Sequence, residues 1–447
     1  MRCPFAVVVI LALGTFSQGA LSSTRYIVRF SSPQSVSETK PPGKRVRRSV
    51  APTQDVAARR LRSLGADAAV YEQEVADADA LRALPGVVSV EEDRRLQLTA
   101  VTDPLWRRQW YMHDPRYGTD AEVAWRYTQG EGAVVAVVDS GIVSHREFEG
   151  RLLPGYDFLS DAQEARDGDE RDADPTDEGD WRDPGECGSL VAHPSSWHGT
   201  HVAGLAVARG DNSYGVVGVA PGAMLLPVRA AGMCGAWTSD VVDAITWASG
   251  GDVEGVPPVE RRADVINLSL GGPGACGEAF ASAIAAAQAR GSVIVVAAGN
   301  NGVKASTFSP ANCPGVISVG ALARDGSQAW YSNHGDGLTL SAPGGSKSGI
   351  RRDDIVSTLD LGRTSATRPV FGYLAGTSMA APQVAGLVAL MRSADPQISV
   401  EEVRQQLVDN ARPVQGRCPK GCGAGVMDAG ATVDAVVEDR ARREATR

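Results

Sequence analysis

Unbroken runs of Val, Ile, Ala and Leu recur along the chain and alternate with stretches whose apolar positions repeat every three or four residues. Residues 132–138, 224–228 and 293–297 are apolar at successive positions, and 265–270 and 315–319 are apolar but for Asn267, Ser269 and Ser318, the pattern of strands buried on both faces. Residues 201–209, 239–249 and 280–290 lie between them and read as helices. This alternation predicts an α/β fold: a doubly wound, mostly parallel sheet with helices on both faces. One more helix is expected late in the chain, where Val384, Leu387, Val388 and Met391 share a face. Pro382 stands in its first turn, where a missing N–H costs nothing.

The pattern differs before residue 101. Residues 26–30 alternate as a half-buried strand should, and residues 87–93 read as a second. Residues 56–64 put Ala57, Leu61 and Leu64 on one side and predict a helix. Between the first strand and this helix runs a basic stretch, residues 41–48, either a processing site or a solvated loop. Together these predict a small α+β unit. The first 20 residues place Arg2 before an apolar run from Phe5 to Phe16, then small and polar residues near Gly19 and Ala20. That is the arrangement of a secretory signal, and the run is shorter than the roughly 20 residues a bilayer span needs. The expected organisation is a signal over 1–22, the α+β unit over 23–100, the main domain over 101–437 and a charged tail over 438–447.

Composition fits a large core: 447 residues, 43% hydrophobic and 22% charged. The net charge of −9 is uneven, since residues 21–101 carry 13 Lys/Arg against 10 Asp/Glu. The acidic remainder argues against nucleic acid or an anionic membrane as partner. Of seven cysteines one, Cys3, lies in the leader; the other six are an even set, and export favours their oxidation.

Functional groups of such sheets gather beyond the carboxyl ends of the strands. Asp139 follows the first long strand directly, Asn300 follows residues 293–297 within three positions, His198 opens a helical stretch, and Ser378 precedes the last helix. A serine there is by itself equally well an N-cap. With an Asp and a His in comparable positions, it fits a relay in which Asp orients the imidazole and the imidazole takes the serine proton. Asn300 is then a donor to the oxyanion.

Asp139-Ser140-Gly141-Ile142, His198-Gly199-Thr200-His201-Val202-Ala203-Gly204, Ala297-Ala298-Gly299-Asn300 and Gly376-Thr377-Ser378-Met379-Ala380-Ala381-Pro382 closely resemble the four signature segments of subtilisin-like serine proteases, over about residues 105–435. The resemblance implies a triad of Asp139, His198 and Ser378, with Asn300 and the Ser378 N–H as oxyanion hole. It implies that Leu268, Leu270, Gly271 and Gly272 lie on a strand that pairs with an extended peptide substrate. The P1 side chain then drops beside Gly271-Gly272 and Ala298-Gly299, and residues 307–311, ending at Ala311, form the other wall. No carboxylate lies in that segment, so neutral P1 residues are expected. Residues 24–100 resemble the inhibitory propeptides of these enzymes, which act on their own catalytic domain before the mature start, here near 96–104.

Metal binding has two candidates. Residues 157–183 hold 12 Asp/Glu and three Arg; a hard cation such as Ca²⁺ suits oxygen ligands of this kind, with Asp172, Asp174, Asp177 and Asp180 foremost, and a solvated acidic loop is the alternative. Residues 211–216 resemble the calcium loop of the family, with Asn212 as ligand and Glu147 where the family has Asp. Zinc is not expected: His198 and His201 are separated by Gly199-Thr200, without the acid a zinc hydrolase carries there. Six cysteines allow 15 pairings; Cys187 with Cys234, Cys276 with Cys313 and Cys418 with Cys422 is the set in which each bridge staples neighbouring loops. The reading is a secreted, monomeric serine endopeptidase made as a self-processing precursor. A peptide ligase or cyclase on the same scaffold, or a non-catalytic peptide binder, is the alternative.

Overall fold

The computed structural model describes residues 24–31, 58–64, 67–73, 78–93 and 101–446. The expected signal, the basic stretch 41–48 and residues 94–100, which hold most of the expected processing region, lie outside them. The chain divides into two compact units, residues 1–100 and 101–447.

The first unit is a four-stranded antiparallel sheet, ordered β2-β3-β1-β4, with one short helix. Its strands are β1 (Thr24–Phe30), β2 (Ala58–Leu64), β3 (Ala68–Gln73) and β4 (Val87–Glu92); α1 is Ala78–Arg82. Tyr26, Val28 and Phe30 alternate inward and pack with Ala69, Tyr71 and Leu81. Of residues 56–64, expected to be helical, the described part, 58–64, forms the edge strand β2 instead. Its Ala, Arg and Leu favour a helix weakly, and pairing along β3 outweighs that preference.

The second unit is built on seven parallel strands ordered β13-β12-β10-β8-β5-β7-β6. They are β5 (Val134–Asp139), β6 (Tyr156–Asp157), β7 (Met224–Arg229), β8 (Val265–Leu268), β10 (Val293–Ala297), β12 (Ile317–Leu322) and β13 (Leu340–Pro343). β5 shows why its sequence does not alternate. Val135 and Val137 enter one core, Val134, Ala136 and Val138 the other, and all are buried. Helices α3 (Thr238–Ala248) and α4 (Glu278–Ala289) cover the second face; α2 (His198–Val207) and α5 (Thr377–Ala394) cover the first. Every residue of α5 from Thr377 to Met391 is buried, as expected of a helix that is apolar all round.

Two small antiparallel ribbons complete the frame: β9 (Gly272–Pro273) with β11 (Phe308–Ser309), and β14 (Ile355–Asp360) with β15 (Pro369–Leu374). Two helices follow, α6 (Val400–Asp409) and α7 (Ala429–Ala445). The expected charged tail is thus largely the end of α7, where Arg443 pairs with Asp395 and Arg440 with Glu444. Among the described residues no helix is long and apolar enough to cross a membrane. Chain order puts β7 on one side of β5 and β8 on the other, so the sheet reverses direction between β5 and β8, the usual place for a site in an open α/β sheet.

Candidate active site

Asp139 ends β5 at that reversal and is buried. Its Oδ1 accepts the Ser140 N–H (2.8 Å) and faces His198 Nδ1 at 2.7 Å. A carboxylate at Nδ1 holds the proton there and leaves Nε2 with its lone pair, the form a general base needs. The backbone makes this approach feasible because Gly141, two residues after Asp139, and Gly199, next to His198, carry no side chain. A Cβ on Gly141, whose φ is +87°, would lie 2.5 Å from Pro175 O, and one on Gly199 would lie 2.1 Å from Gly141 O. Burial pulls the His198 imidazole down, but the Asp139 carboxylate outweighs it, helped by Asp180 and Asp177, and the pKa is raised.

The start of α2 is held from two further directions. Ser140 Oγ donates to Asp177 Oδ2 (2.7 Å) and accepts the Gly199 N–H (3.0 Å). Trp197, immediately before His198, is buried with φ +52°, and its indole N–H donates to Gly362 O (2.8 Å) beyond β14.

Ser378 is the second residue of α5, where backbone N–H groups have no helical partner and the dipole favours negative charge. Its Oγ donates to Ser269 O (3.1 Å), and Ser269 Oγ donates back to Ser378 O (3.1 Å) while accepting from Asn267 Nδ2 (2.9 Å). Asn300 Oδ1 accepts from Thr377 N (2.9 Å) and Thr377 Oγ1 (3.1 Å). Its amide oxygen is therefore committed to the helix start, and Nδ2 is left to donate to an oxyanion. Asn333 orders the preceding loop, donating to Ala298 O (2.7 Å) and accepting from the N–H groups of Asn301 and Val303.

Ser269, Leu270, Gly271 and Gly272 continue beyond β8 on one side of Ser378, and Ala298, Gly299 and Asn300 continue beyond β10 on the other. Leu268 is buried in the core beneath, Leu270 is half-buried and Gly271 is exposed. Ala311 is buried in the core on the α3–α4 face; within residues 307–311 it is Phe308 that packs against Gly271 and Gly299. Sequence reasoning placed Phe308 within the expected pocket wall 307–311 without singling it out, and missed Ser140, Asp177, Asn267, Ser269 and Asn333 as parts of this arrangement. A polar residue next to a motif was the available signal for Ser140 and Ser269, and the others carry none.

The four acidic candidates do not converge. Asp172 and Asp174 accept from the backbone of their own turn, Asp177 faces Ser140, and Asp180 accepts from Ser196 N and Oγ. Among the described residues no group of three His, Cys, Asp or Glu side chains is placed to hold a metal ion. The other candidate is a closer set. Asn212 Nδ2 donates to Glu147 Oε2 (2.8 Å), Val216 N donates to Glu147 Oε1 (3.1 Å), and Asp103 accepts from Asp211 N (2.8 Å) and Asn212 N (3.3 Å). Glu147 and Asp103 are buried, and burial pushes the Glu147 carboxyl up to about 7, with Asp103 adding to the rise. Two buried carboxylates and an amide, brought together from three separate segments of the chain, are hard oxygen donors of the kind that suit Ca²⁺. Disulfides join Cys187 to Cys234, Cys276 to Cys313 and Cys418 to Cys422.

Residues 130–425 match the model of the subtilase family. The chain is 46% identical over 360 residues to an extracellular protease of Xanthomonas campestris pv. campestris, covering 80% of this chain and 61% of that protein. It is 42% identical over 377 residues to an extracellular basic protease of Dichelobacter nodosus, covering 82% of this chain and 61% of the relative. The chain thus spans about three fifths of the length of these two relatives. Among solved structures, a protease from Pseudoalteromonas arctica matches with a TM-score of 0.74 and 42% identity, over 75% of this chain and 99% of that one.

Proposed function

Because the chain belongs to the subtilase family, we propose that it is a secreted serine endopeptidase that cleaves peptide bonds in extended substrates through an acyl-enzyme on Ser378. The observation that carries this is the 2.7 Å contact of Asp139 Oδ1 with His198 Nδ1 at the reversal of the sheet, and Ser378, the second residue of α5, is the nucleophile proposed to work with that pair. In the reaction, His198 Nε2 takes the Ser378 hydroxyl proton as Oγ attacks the carbonyl carbon. The oxyanion accepts from Asn300 Nδ2 and the Ser378 N–H. His198 then protonates the departing amine, and water, deprotonated at Nε2, releases the acyl group.

Asp139 fixes the tautomer and stabilises the imidazolium, and Ser140 with Asp177 keeps the α2 start in register. The strand 268–272 supplies the edge on which substrate backbone pairs. Residues 23–100 are proposed to act as an intramolecular inhibitor that Ser378 removes, and residues 1–22 to direct export. A calcium ion, held by Asn212, Glu147 and Asp103, would supply positive charge to two buried carboxylates and tie residues 209–216 to the body. The product is expected to be monomeric.

The test is the intact mass of the secreted product, wild type beside Ser378→Ala. Loss of the first unit in wild type and its covalent retention in the variant supports self-processing by Ser378. Identical masses, with no hydrolysis of a peptide substrate by either, would reject the reading.

A further inference from the structure

The peptidase reading leaves open what may enter beside the nucleophile, and on that reading the packing around Phe308 supplies an answer. A peptide whose carbonyl carbon lies over Ser378 Oγ, with its oxygen toward Asn300, runs along the 268–272 edge. Its residue on the amino side of the scissile bond then points its side chain into the trough between Gly271 and Gly299. Both glycines leave that trough open from above, since neither has a side chain. What limits its depth comes from below.

Phe308 is paired with Pro273, and Ser309 with Gly272, in the β9–β11 ribbon. This register carries the Phe308 ring under the trough, where it is buried at 7% exposure. A Cβ built on Gly271 would lie 2.8 Å from Phe308 Cε1, and one built on Gly299 would lie 2.8 Å from both Cδ1 and Cε1. The same ring edge therefore meets both walls. It lies within one carbon layer of the two glycine Cα atoms, so that the walls are bridged by an aromatic edge and not by empty space. Non-bonded carbons need about 3.5–4.0 Å between centres, so a methyl group can lie on this edge and a second ring cannot lie through it.

The backbone that carries the ring is held in place. The Asn312 N–H donates to Phe308 O (3.0 Å), and Asn312 Nδ2 donates to Gly274 O (2.8 Å) and Ser306 O (3.1 Å). The Cys276–Cys313 disulfide ties the same loop to the segment following β9.

We propose that Phe308 is the specificity-determining residue of the trough: it fills the floor and restricts P1 to small side chains, Gly, Ala or Ser. The substrate class is then protein rich in such residues rather than sites with aromatic or long aliphatic P1.

Two measurements test this. First, cleavage sites of the mature wild-type enzyme on an unfolded protein are mapped by mass spectrometry; small residues are expected at P1 at most sites. Second, kcat/KM is compared for peptides that differ only in P1 Ala, Leu or Phe, with wild type, Phe308→Leu and Phe308→Ala. One or two carbons of pocket space are worth about 10–200-fold in discrimination. The Phe/Ala ratio should therefore rise by at least tenfold in Phe308→Ala, with Phe308→Leu between. Large P1 residues at most wild-type sites, or a ratio that stays fixed in an active variant, overturns the proposal. Should Phe308→Ala not fold, the wild-type map and Phe308→Leu decide it. A wild type that hydrolyses none of the substrates and fails to react with a fluorophosphonate probe rejects the peptidase reading itself, and the proposal with it.

Discussion

Ser140 Oγ sits 2.7 Å from Asp177 Oδ2 and joins a buried carboxylate to the first turn of the His198 helix through the Gly199 N–H. Burial pushes the Asp177 carboxyl up to about 7, and the Ser140 hydroxyl and the Gly179 N–H lower it again in part. Ser140→Ala leaves that carboxyl short of one donor in a site closed to water. The loss of such a partner costs about 1–3 kcal/mol. Denaturant unfolding of the inactive Ser378→Ala background should show this loss, and kcat in the active background should fall while KM changes little.

The raised His198 pKa sets the acid limb of activity. The imidazole must be neutral to accept the serine proton, so kcat/KM should rise with pH through a midpoint above the ordinary 6.5 of histidine. Asp139→Asn removes the charge that raises it and offers an amide that can fix the wrong tautomer. The midpoint should then move down, with kcat lower by about 10⁴-fold, the size seen for that change in another serine protease triad. A pH–rate profile of both enzymes measures shift and loss together.

In the proposed mechanism Asn300 acts on charge that exists only in the transition state. Asn300→Ala is expected to lower kcat by about 10²–10³, the loss known for the equivalent donor in subtilisin, and to leave KM close to wild type. Steady-state kinetics on one good peptide decides it; a change confined to KM would assign Asn300 to substrate binding.

The Glu147–Asn212 pair predicts a calcium-dependent melting temperature. Chelation should lower Tm in wild type, because Glu147 and Asp103 are buried carboxylates whose ionised forms are costly without a cation. Glu147→Gln should be nearly indifferent to calcium, whereas Asp172→Asn and Asp174→Asn should respond as wild type does. Calorimetry with and without chelator separates the two sets.

Much of this was legible in the residues. The strands of the main sheet announce themselves because burial on two faces removes alternation, as in β5. Asp139, His198, Asn300 and Ser378 stand out because each is a polar residue where an apolar run ends or a helix begins. Residues 58–64 were illegible because their Ala, Arg and Leu suit a helix, while the partner that makes them a strand, β3, imposes itself only in three dimensions. The acidic run 157–183 misled differently. Composition suggested a common task, but Asp177 turns to Ser140 and Asp180 to Ser196, contacts 37 and 16 residues away along the chain. The resemblance put residues 307–311 at the wall opposite Gly271 and Gly299 but did not show that, of these five, it is the Phe308 ring that meets both glycines.

Ser378, the proposed nucleophile, is the second residue of a helix buried without interruption from Thr377 to Met391. Amides inside such a segment are expected to exchange with solvent only when the whole domain opens, not by local fraying. A protease digests whatever copies of itself unfold, so its working lifetime is a rate, the frequency of that global opening, rather than an equilibrium. Loosening the first helical turns around Ser378 would therefore shorten the life of the enzyme population before it dulled any single molecule.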